Sequence, residues 1–194
     1  MVSKKTAIQN ILEQNTTNMI FCEDSYAKTA FFTKEIPNWE APVFYFDFDL
    51  QYTGFVRAGI TPSPKNLTTL YPENSSLRED LKSVIEKISK TRSLIIIDSL
   101  NGFFNLLEDN KELGRLVNSF LMLLASSAKH TKSTVIVGIL SKLNDEDKWV
   151  LHNTGRHILD NDHFTKIQLI RTKSNDILAK VLNTDNTEQS HLIL

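Results

Sequence analysis

The residues from Cys22 to Thr29, Cys-Glu-Asp-Ser-Tyr-Ala-Lys-Thr, include types that bind phosphate at the start of a helix. The segment has the length and the ending of the phosphate-binding pattern G-x-x-x-x-G-K-[ST], in which the lysine reaches the phosphates and the hydroxyl binds Mg²⁺. Lys28 and Thr29 keep those two side chains, but Cys22 and Ala27 replace both glycines. Because a Cβ atom restricts the backbone and its close approach to a ligand, two interpretations stay open, a phosphate-binding loop and an ordinary strand-to-helix turn. The two acidic residues of the segment add repulsion toward a polyphosphate.

Carboxylates follow two further apolar runs. Asp98 and Ser99 end the run Leu94-Ile95-Ile96-Ile97, where a carboxylate can orient a Mg²⁺-bound water or hydrogen-bond the following turn. Asp47 and Asp49 end the run that begins at Val43, where an acid can polarise an attacking water or simply face solvent. Both interpretations of each pair remain open from the residues alone.

The elements that must position these residues alternate between strand and helix. Near-continuous apolar runs separated by helical patterns are typical of a mostly parallel sheet covered by helices on both faces, which predicts the α/β class. Two late strands predict a C-terminal β-hairpin that turns at residues 174–176. The predicted strands are 18–22, 43–48, 67–71, 93–98, 134–140, 165–171 and 177–182, and the predicted helices are 3–14, 28–36, 112–129 and one that begins near Leu77.

Three segments carry weaker patterns. Gly54, Gly59 and the prolines after them predict an irregular passage following the second strand. Trp149 and Val150 fit a short amphipathic helix packed into the core, with base stacking by Trp149 as the alternative. Residues 183–194 are expected to form a C-terminal tail.

Composition limits the classes of function. The chain has 194 residues, 41% of them hydrophobic, and a net charge of −1, which argues against disorder and against broad electrostatic binding of nucleic acid. It has no run of about 18 apolar residues that could span a membrane. The single cysteine, Cys22, excludes an internal disulfide, and the polar N-terminal stretch does not resemble a secretory signal, so a cytoplasmic location is expected.

Taken in order, the strand and loop ending in Lys28-Thr29, the strand ending in acids and the strand ending in Ile97-Asp98-Ser99 resemble the RecA/RadA/KaiC superfamily of P-loop ATPases. The resemblance covers about residues 11–182. It implies a RecA-like P-loop NTPase fold in a single domain, residues 1–194.

The resemblance also implies roles for individual residues. The segment from Cys22 to Thr29, including Glu23, Asp24, Ser25, Tyr26, Ala27 and Lys28, would form the phosphate-binding loop. Thr29 and Asp98 would bind Mg²⁺, and Asp49 would activate water. Ser141 would sense the γ-phosphate, and Arg171 and Lys173 resemble the basic pair that reaches the nucleotide of a neighbouring subunit.

Since both glycines of the loop are replaced, the resemblance predicts weak binding of ATP and Mg²⁺, with weak or no hydrolysis. The expected role is that of a subunit in a ring, filament or heteromeric complex with RecA-like proteins. One alternative is a regulatory partner of a genuine RecA- or KaiC-type ATPase that binds no nucleotide. The other is an active ATPase completed across a subunit interface. Nucleic acid is the least favoured partner, because the interval from Leu140 to Thr165 contains Asp145-Glu146-Asp147 and is not a basic funnel.

Overall fold

The computed structural model describes residues 5–146, 148–152 and 163–194, so Asp147, part of the acidic run, lies outside the described residues. In chain order the elements are α1 Ala7–Leu12, β1 Thr17–Cys22, α2 Ser25–Glu35, a 3₁₀ turn Ile36–Asn38, β2 Val43–Asp47, α3 Gln51–Arg57, β3 Leu67–Leu70, α4 Leu77–Ile88, β4 Leu94–Asp98, α5 Leu100–Leu106, α6 Leu113–Thr131, β5 Thr134–Leu143, β6 Trp149–Leu151, β7 Phe164–Arg171, β8 Ile177–Leu182 and β9 Glu188–Ile193.

Eight strands form one sheet in the order β3-β2-β4-β5-β1-β7-β8-β9, and β6 pairs with the end of β5. Neighbouring strands in the series β3-β2-β4-β5-β1-β7 are parallel. The pairs β7–β8 and β8–β9 are antiparallel. Every residue of β1, β2 and β4 is buried, which is why these strands have continuous apolar sequences. The sheet confirms the predicted mostly parallel α/β architecture with antiparallel strands at its C-terminal end.

Hydrophobic cores lie on both faces of the sheet. One core contains Val84 of α4, Phe103 of α5 and Phe120 of α6. The other contains Leu12 of α1 and Phe31 of α2. Helices therefore flank the sheet on both faces, and the carboxyl ends of the parallel strands meet at one edge.

Helix α2 begins at Ser25, three residues before the predicted start at Lys28. The cause is local, because Asp24 has extended backbone angles and its carboxylate accepts a hydrogen bond from the Tyr26 N–H at 2.8 Å. Only Glu23 and Asp24 remain between β1 and α2. The position of Lys28 is therefore inside the helix rather than at its first residue.

The predicted passage without regular structure is wrong for its first part, because residues Gln51–Arg57 form α3, whereas residues 58–66 contain only turns and bends. The carboxylate of Asp47 accepts hydrogen bonds from the backbone N–H and the hydroxyl of Thr53, at 2.9 and 2.5 Å. This tertiary contact holds a helical turn that contains a glycine and has a weak intrinsic preference.

Two later predictions also differ from the structure. Trp149 lies in β6 rather than in a short helix, and its ring stacks on Phe21 with centroids 4.6 Å apart. Its packing into the core is as expected. Beyond Leu182, β9 pairs with β8, so this part of the chain extends the sheet instead of forming a tail without regular structure.

Candidate functional site

The amine of Lys28 lies at the centre of the polar groups beyond the strand ends. The side chain is fully buried, and Nζ forms an ion pair with Asp98 and a second one with Asp49 Oδ2 at 3.1 Å. Gly138 of β5 makes room for it, since a Cβ atom there would lie 3.2 Å from Lys28 Cδ. The sheet thus brings together three of the residues that the sequence predicted as a site.

Asp98 ends β4 and accepts hydrogen bonds through both of its oxygens. Oδ1 accepts from Lys28 Nζ, and Oδ2 accepts from the hydroxyl of Tyr45 in the neighbouring strand β2. Asp98 and Tyr45 are both fully buried. The peptide bond between Asp98 and Ser99 is cis.

Asp49 lies between β2 and α3, and its carboxylate contacts the start of α5. Its Oδ2 accepts a hydrogen bond from the Ser99 hydroxyl at 2.6 Å, and the same hydroxyl accepts from the N–H of Gly102 at 3.1 Å. Asp49 lies so close to α5 that a Cβ atom on Gly102 would be 2.2 Å from Asp49 Oδ1. The approach of this carboxylate to α5 therefore requires a glycine at position 102.

Burial and charge oppose each other in this cluster. Burial alone would lower the pKa of Lys28, but the charges of Asp98 and Asp49 raise it above its ordinary value, so the amine is protonated. Burial raises the pKa of Asp98, an effect that Lys28 and the hydrogen bond from Tyr45 oppose. One buried ammonium group thus contacts the side chains of two aspartates.

Asp47 forms a second buried polar group next to this cluster. One oxygen accepts both hydrogen bonds from Thr53, while Oδ1 has no partner among the described residues. The hydroxyl of Tyr52, also buried, likewise has no partner there. Burial raises the pKa of Asp47, and the hydrogen bonds from Thr53 lower it in part.

The groups of the predicted phosphate-binding segment already have protein partners. The backbone N–H of Tyr26, in the first turn of α2, donates a hydrogen bond to the carboxylate of Asp24. The Thr29 hydroxyl contacts the carbonyl oxygen of Ser25 at 3.0 Å and Gln51 Oε1 at 3.1 Å. Cys22 is buried at the end of β1, where its thiol contacts the carbonyl of Ile139 at 3.3 Å and burial raises its pKa to about 12.

The remaining residues of that segment divide by exposure. Ala27 is buried in the core on the α2 face of the sheet, whereas Glu23 is exposed. Ser25 is partly buried as the first residue of α2.

The other predicted site residues make contacts of their own. Ser141 is inside β5 rather than beyond its end, and its buried hydroxyl has no partner among the described residues. Arg171 stacks on the ring of Tyr26 in its own chain, 4.4 Å from the centroid, and lies 3.7 Å from Asp24. Lys173 is exposed in the turn between β7 and β8.

The sequence reasoning missed two members of the cluster. Tyr45 lies in an apolar strand with no feature that marks its hydroxyl as the partner of Asp98. Ser99 was noted only as the neighbour of Asp98 at the end of a strand, although its hydroxyl also donates a hydrogen bond to Asp49. A hydroxyl directly after a buried strand is the signal that could have identified Ser99, whereas no such signal marks Tyr45.

Comparison with models of protein families and with curated protein sequences finds no match. Among solved structures, the chain is similar to the crystal structure of the RadB recombinase, with a TM-score of 0.60 and 13% sequence identity. The alignment covers 100% of this chain and 94% of that one. At this identity the similarity establishes the fold, which is RecA-like.

Two absences hold for the described residues, 5–146, 148–152 and 163–194. No helix among them has both the length and the apolar character needed to cross a membrane. No group of three or more His, Cys, Asp or Glu residues among them is arranged to hold a metal ion.

Proposed function

We propose that this RecA-like domain works without binding or hydrolysing ATP, as a structural subunit in an assembly with RecA-like proteins. The observation that carries the proposal is the pairing of Lys28. Its amine is buried between Asp98 and Asp49, which supply the negative charge that a phosphate would supply. A phosphate would have to displace a charge-assisted contact in a buried site.

The residues present do not fit a Mg²⁺–ATP complex. A phosphate loop needs several backbone N–H groups that converge on the anion, and here Glu23 and Asp24 alone connect β1 to α2. The carboxylate of Asp24 takes the place at the N-terminus of α2 where an anion binds. Asp98, the expected Mg²⁺ ligand, uses both oxygens for Lys28 and Tyr45.

The surface at the same sheet edge supports a role through protein contacts. Four apolar side chains near the carboxyl ends of parallel strands are between 41% and 56% exposed, namely Tyr26, Leu50, Tyr71 and Leu143. A contiguous apolar patch is typical of an interaction surface, and in this proposal these four side chains contribute to one. An assembly contact there would not require a nucleotide.

Titration calorimetry with ATP and Mg²⁺ tests the nucleotide part, together with phosphate release at high protein concentration. We expect no binding at micromolar concentrations and no release above the level of Lys28→Met. Lys173→Met is the matched control, since it removes an exposed lysine. Micromolar binding that is lost in Lys28→Met and kept in Lys173→Met would contradict the proposal, provided that circular dichroism shows both variants folded.

Sedimentation equilibrium, alone and mixed with a RecA-like subunit from the same cell, tests the assembly part. We expect a complex that Leu50→Ser combined with Tyr71→Ser weakens. Asn118→Ser, which changes an exposed polar residue of α6, should leave the complex intact. A chain that stays monomeric alone and in the mixture overturns this part of the proposal.

A further inference from the structure

A cavity of about 320 Å³ lies at the carboxyl edge of the sheet, between the start of α3, helix α5 and strands β5 and β6. This volume is at the lower end of the roughly 300–1,000 Å³ typical of small-molecule sites. Its walls include the apolar side chains of Leu140, Leu151 and Phe104 and the polar side chains of Gln51, Asn105 and His152.

One wall of the cavity is fixed before any ligand arrives. The amide of Asn101 accepts from the N–H of Leu140 at 2.8 Å and donates to its carbonyl oxygen at 3.0 Å. These two hydrogen bonds join α5 to β5 across the cavity. A wall that is already ordered lowers the entropic cost of binding a ligand.

The polar groups that line the cavity keep unused hydrogen-bonding capacity. Gln51 accepts from Thr29 through Oε1 at 3.1 Å, which leaves its two N–H donors without a partner among the described residues. In the same residues Asn105 makes no side-chain hydrogen bond, and the buried Nε2 of His152 has none either. Of these groups, His152 Nε2 is the buried one, whereas Asn105 is exposed and Gln51 half-buried. An unpaired buried polar atom costs about 1–3 kcal/mol, so a ligand that pairs with Nε2 gains affinity.

The charge of the lining selects against anions. Asp49 is the one charged residue in the described lining, and Lys28 lies 3.1 Å from its carboxylate. The described walls contain no Lys or Arg side chain that could bind a phosphate or a carboxylate. Amides and an imidazole beside apolar walls suit a neutral, flat ring that has its own donors and acceptors.

We propose that this cavity binds a neutral heterocycle with amide-type edges, the chemistry of a nucleobase. The amides of Gln51 and Asn105 pair with the edge of the ring, and Leu140 and Leu151 contact its faces. The site does not use the Lys28 cluster as a phosphate site. It is therefore independent of the proposed absence of ATP binding.

Saturation-transfer NMR and calorimetry with adenosine, guanosine, cytidine and uridine test the proposal on the full chain. We expect at least one nucleoside to bind, and Asn105→Leu, which keeps the side-chain volume but removes the amide, to weaken that binding at least tenfold. Asn118→Leu is the control, since Asn118 is exposed on α6. Because Asn105→Leu removes no hydrogen bond found in the described residues, we expect it to fold.

The absence of binding by all four nucleosides overturns the proposal, as does binding that Asn105→Leu leaves unchanged. ATP separates this proposal from the preceding one. If ATP binds more tightly than adenosine and Lys28→Met removes the difference, the proposed function fails. The cavity is still judged by the response of adenosine to Asn105→Leu.

Discussion

Lys28 of α2 and Asp98 of β4 form an ion pair in which neither side chain is exposed to solvent. Asp49 and Tyr45 contact the two members of this pair, so the ends of β2 and β4 and the start of α2 share one polar cluster. Each charge compensates the desolvation of another, and the cluster is therefore sensitive to the loss of any single partner.

Lys28→Met should lower the free energy of unfolding by about 3–5 kcal/mol, because it leaves buried carboxylates without a cation. Adding Asp98→Asn to this variant should recover part of the loss, with a coupling energy of about 1–3 kcal/mol. Urea unfolding of the two single variants and the double variant measures the coupling.

Lys173→Met is the control for that cycle and should change stability by less than about 0.5 kcal/mol, since its side chain is exposed. Additive effects of Lys28→Met and Asp98→Asn would show that the pair does not act as a unit. Such a result would remove the main support for a structural role of Lys28.

Much of the fold could be predicted from the sequence, because buried parallel strands leave a continuous apolar pattern. Strands β4 and β2 were each predicted with one residue too many, Ser93 at the start of β4 and Phe48 at the end of β2. Helix α3 was missed, since the contact that supports it, from Asp47 to Thr53, is not visible as a periodic pattern. Strand β9 was missed because its side chains are mostly exposed and its strand status depends on pairing with β8.

The proximity of Lys28, Asp98 and Asp49 could be expected from their places beyond the strand ends. The hydrogen-bond partners of these residues could not be predicted from the sequence. The start of α2 depends on the capping hydrogen bond of Asp24, and the partner of Asp98 includes a tyrosine in a neighbouring strand. Both are tertiary or local geometric facts that residue types alone leave open.

Asp47→Asn should raise the free energy of unfolding at neutral pH. Burial raises the folded-state pKa of Asp47 above its unfolded value, so the folded protein binds this proton more tightly. The ionised carboxylate therefore reduces stability as pH rises from the unfolded pKa through the raised folded pKa. The asparagine variant lacks this loss.

Urea unfolding of both proteins between pH 3 and pH 8 checks the Asp47 prediction, where about 3.9 is the unfolded pKa of an aspartate. The curves should meet below that pH and separate above it, with the variant more stable. A variant that is less stable across the whole range would mean that the charge of Asp47 stabilises the fold.

Gly102→Ala should destabilise the protein by about 1–3 kcal/mol, because the added Cβ would lie 2.2 Å from Asp49 Oδ1 and 2.8 Å from Phe48 Cβ. Gly54→Ala is the matched control inside α3. Its Cβ would have nothing within 4 Å, so it should stabilise by about 0.5–1 kcal/mol through helix propensity.

Thermal unfolding of the two glycine variants gives the comparison. If Gly102→Ala stabilised the protein and Gly54→Ala destabilised it, Asp49 would not approach α5 in solution. Loss of stability in Gly102→Ala that disappears when Asp49→Ala is added would locate the clash at this carboxylate.

Cys22 should resist thiol reagents in the folded protein and react as soon as the chain opens. Its side chain has no exposure, and burial raises its pKa to about 12, so at pH 8 about one thiol in ten thousand is ionised in the folded state. In the unfolded chain the pKa is about 8.5, and roughly a quarter of the thiols are ionised.

The rate of labelling therefore reports the population of the open state when reclosing is fast. Because Cys22 ends β1, directly before α2, we expect Lys28→Met to increase the labelling rate and Lys173→Met to leave it unchanged. The measurement is absorbance-monitored reaction with a disulfide reagent at pH 8, with urea-unfolded protein as the reference for full reactivity. Labelling of the native protein at the unfolded rate would show that the end of β1 is open to solvent, and the buried arrangement around Lys28 would then be wrong.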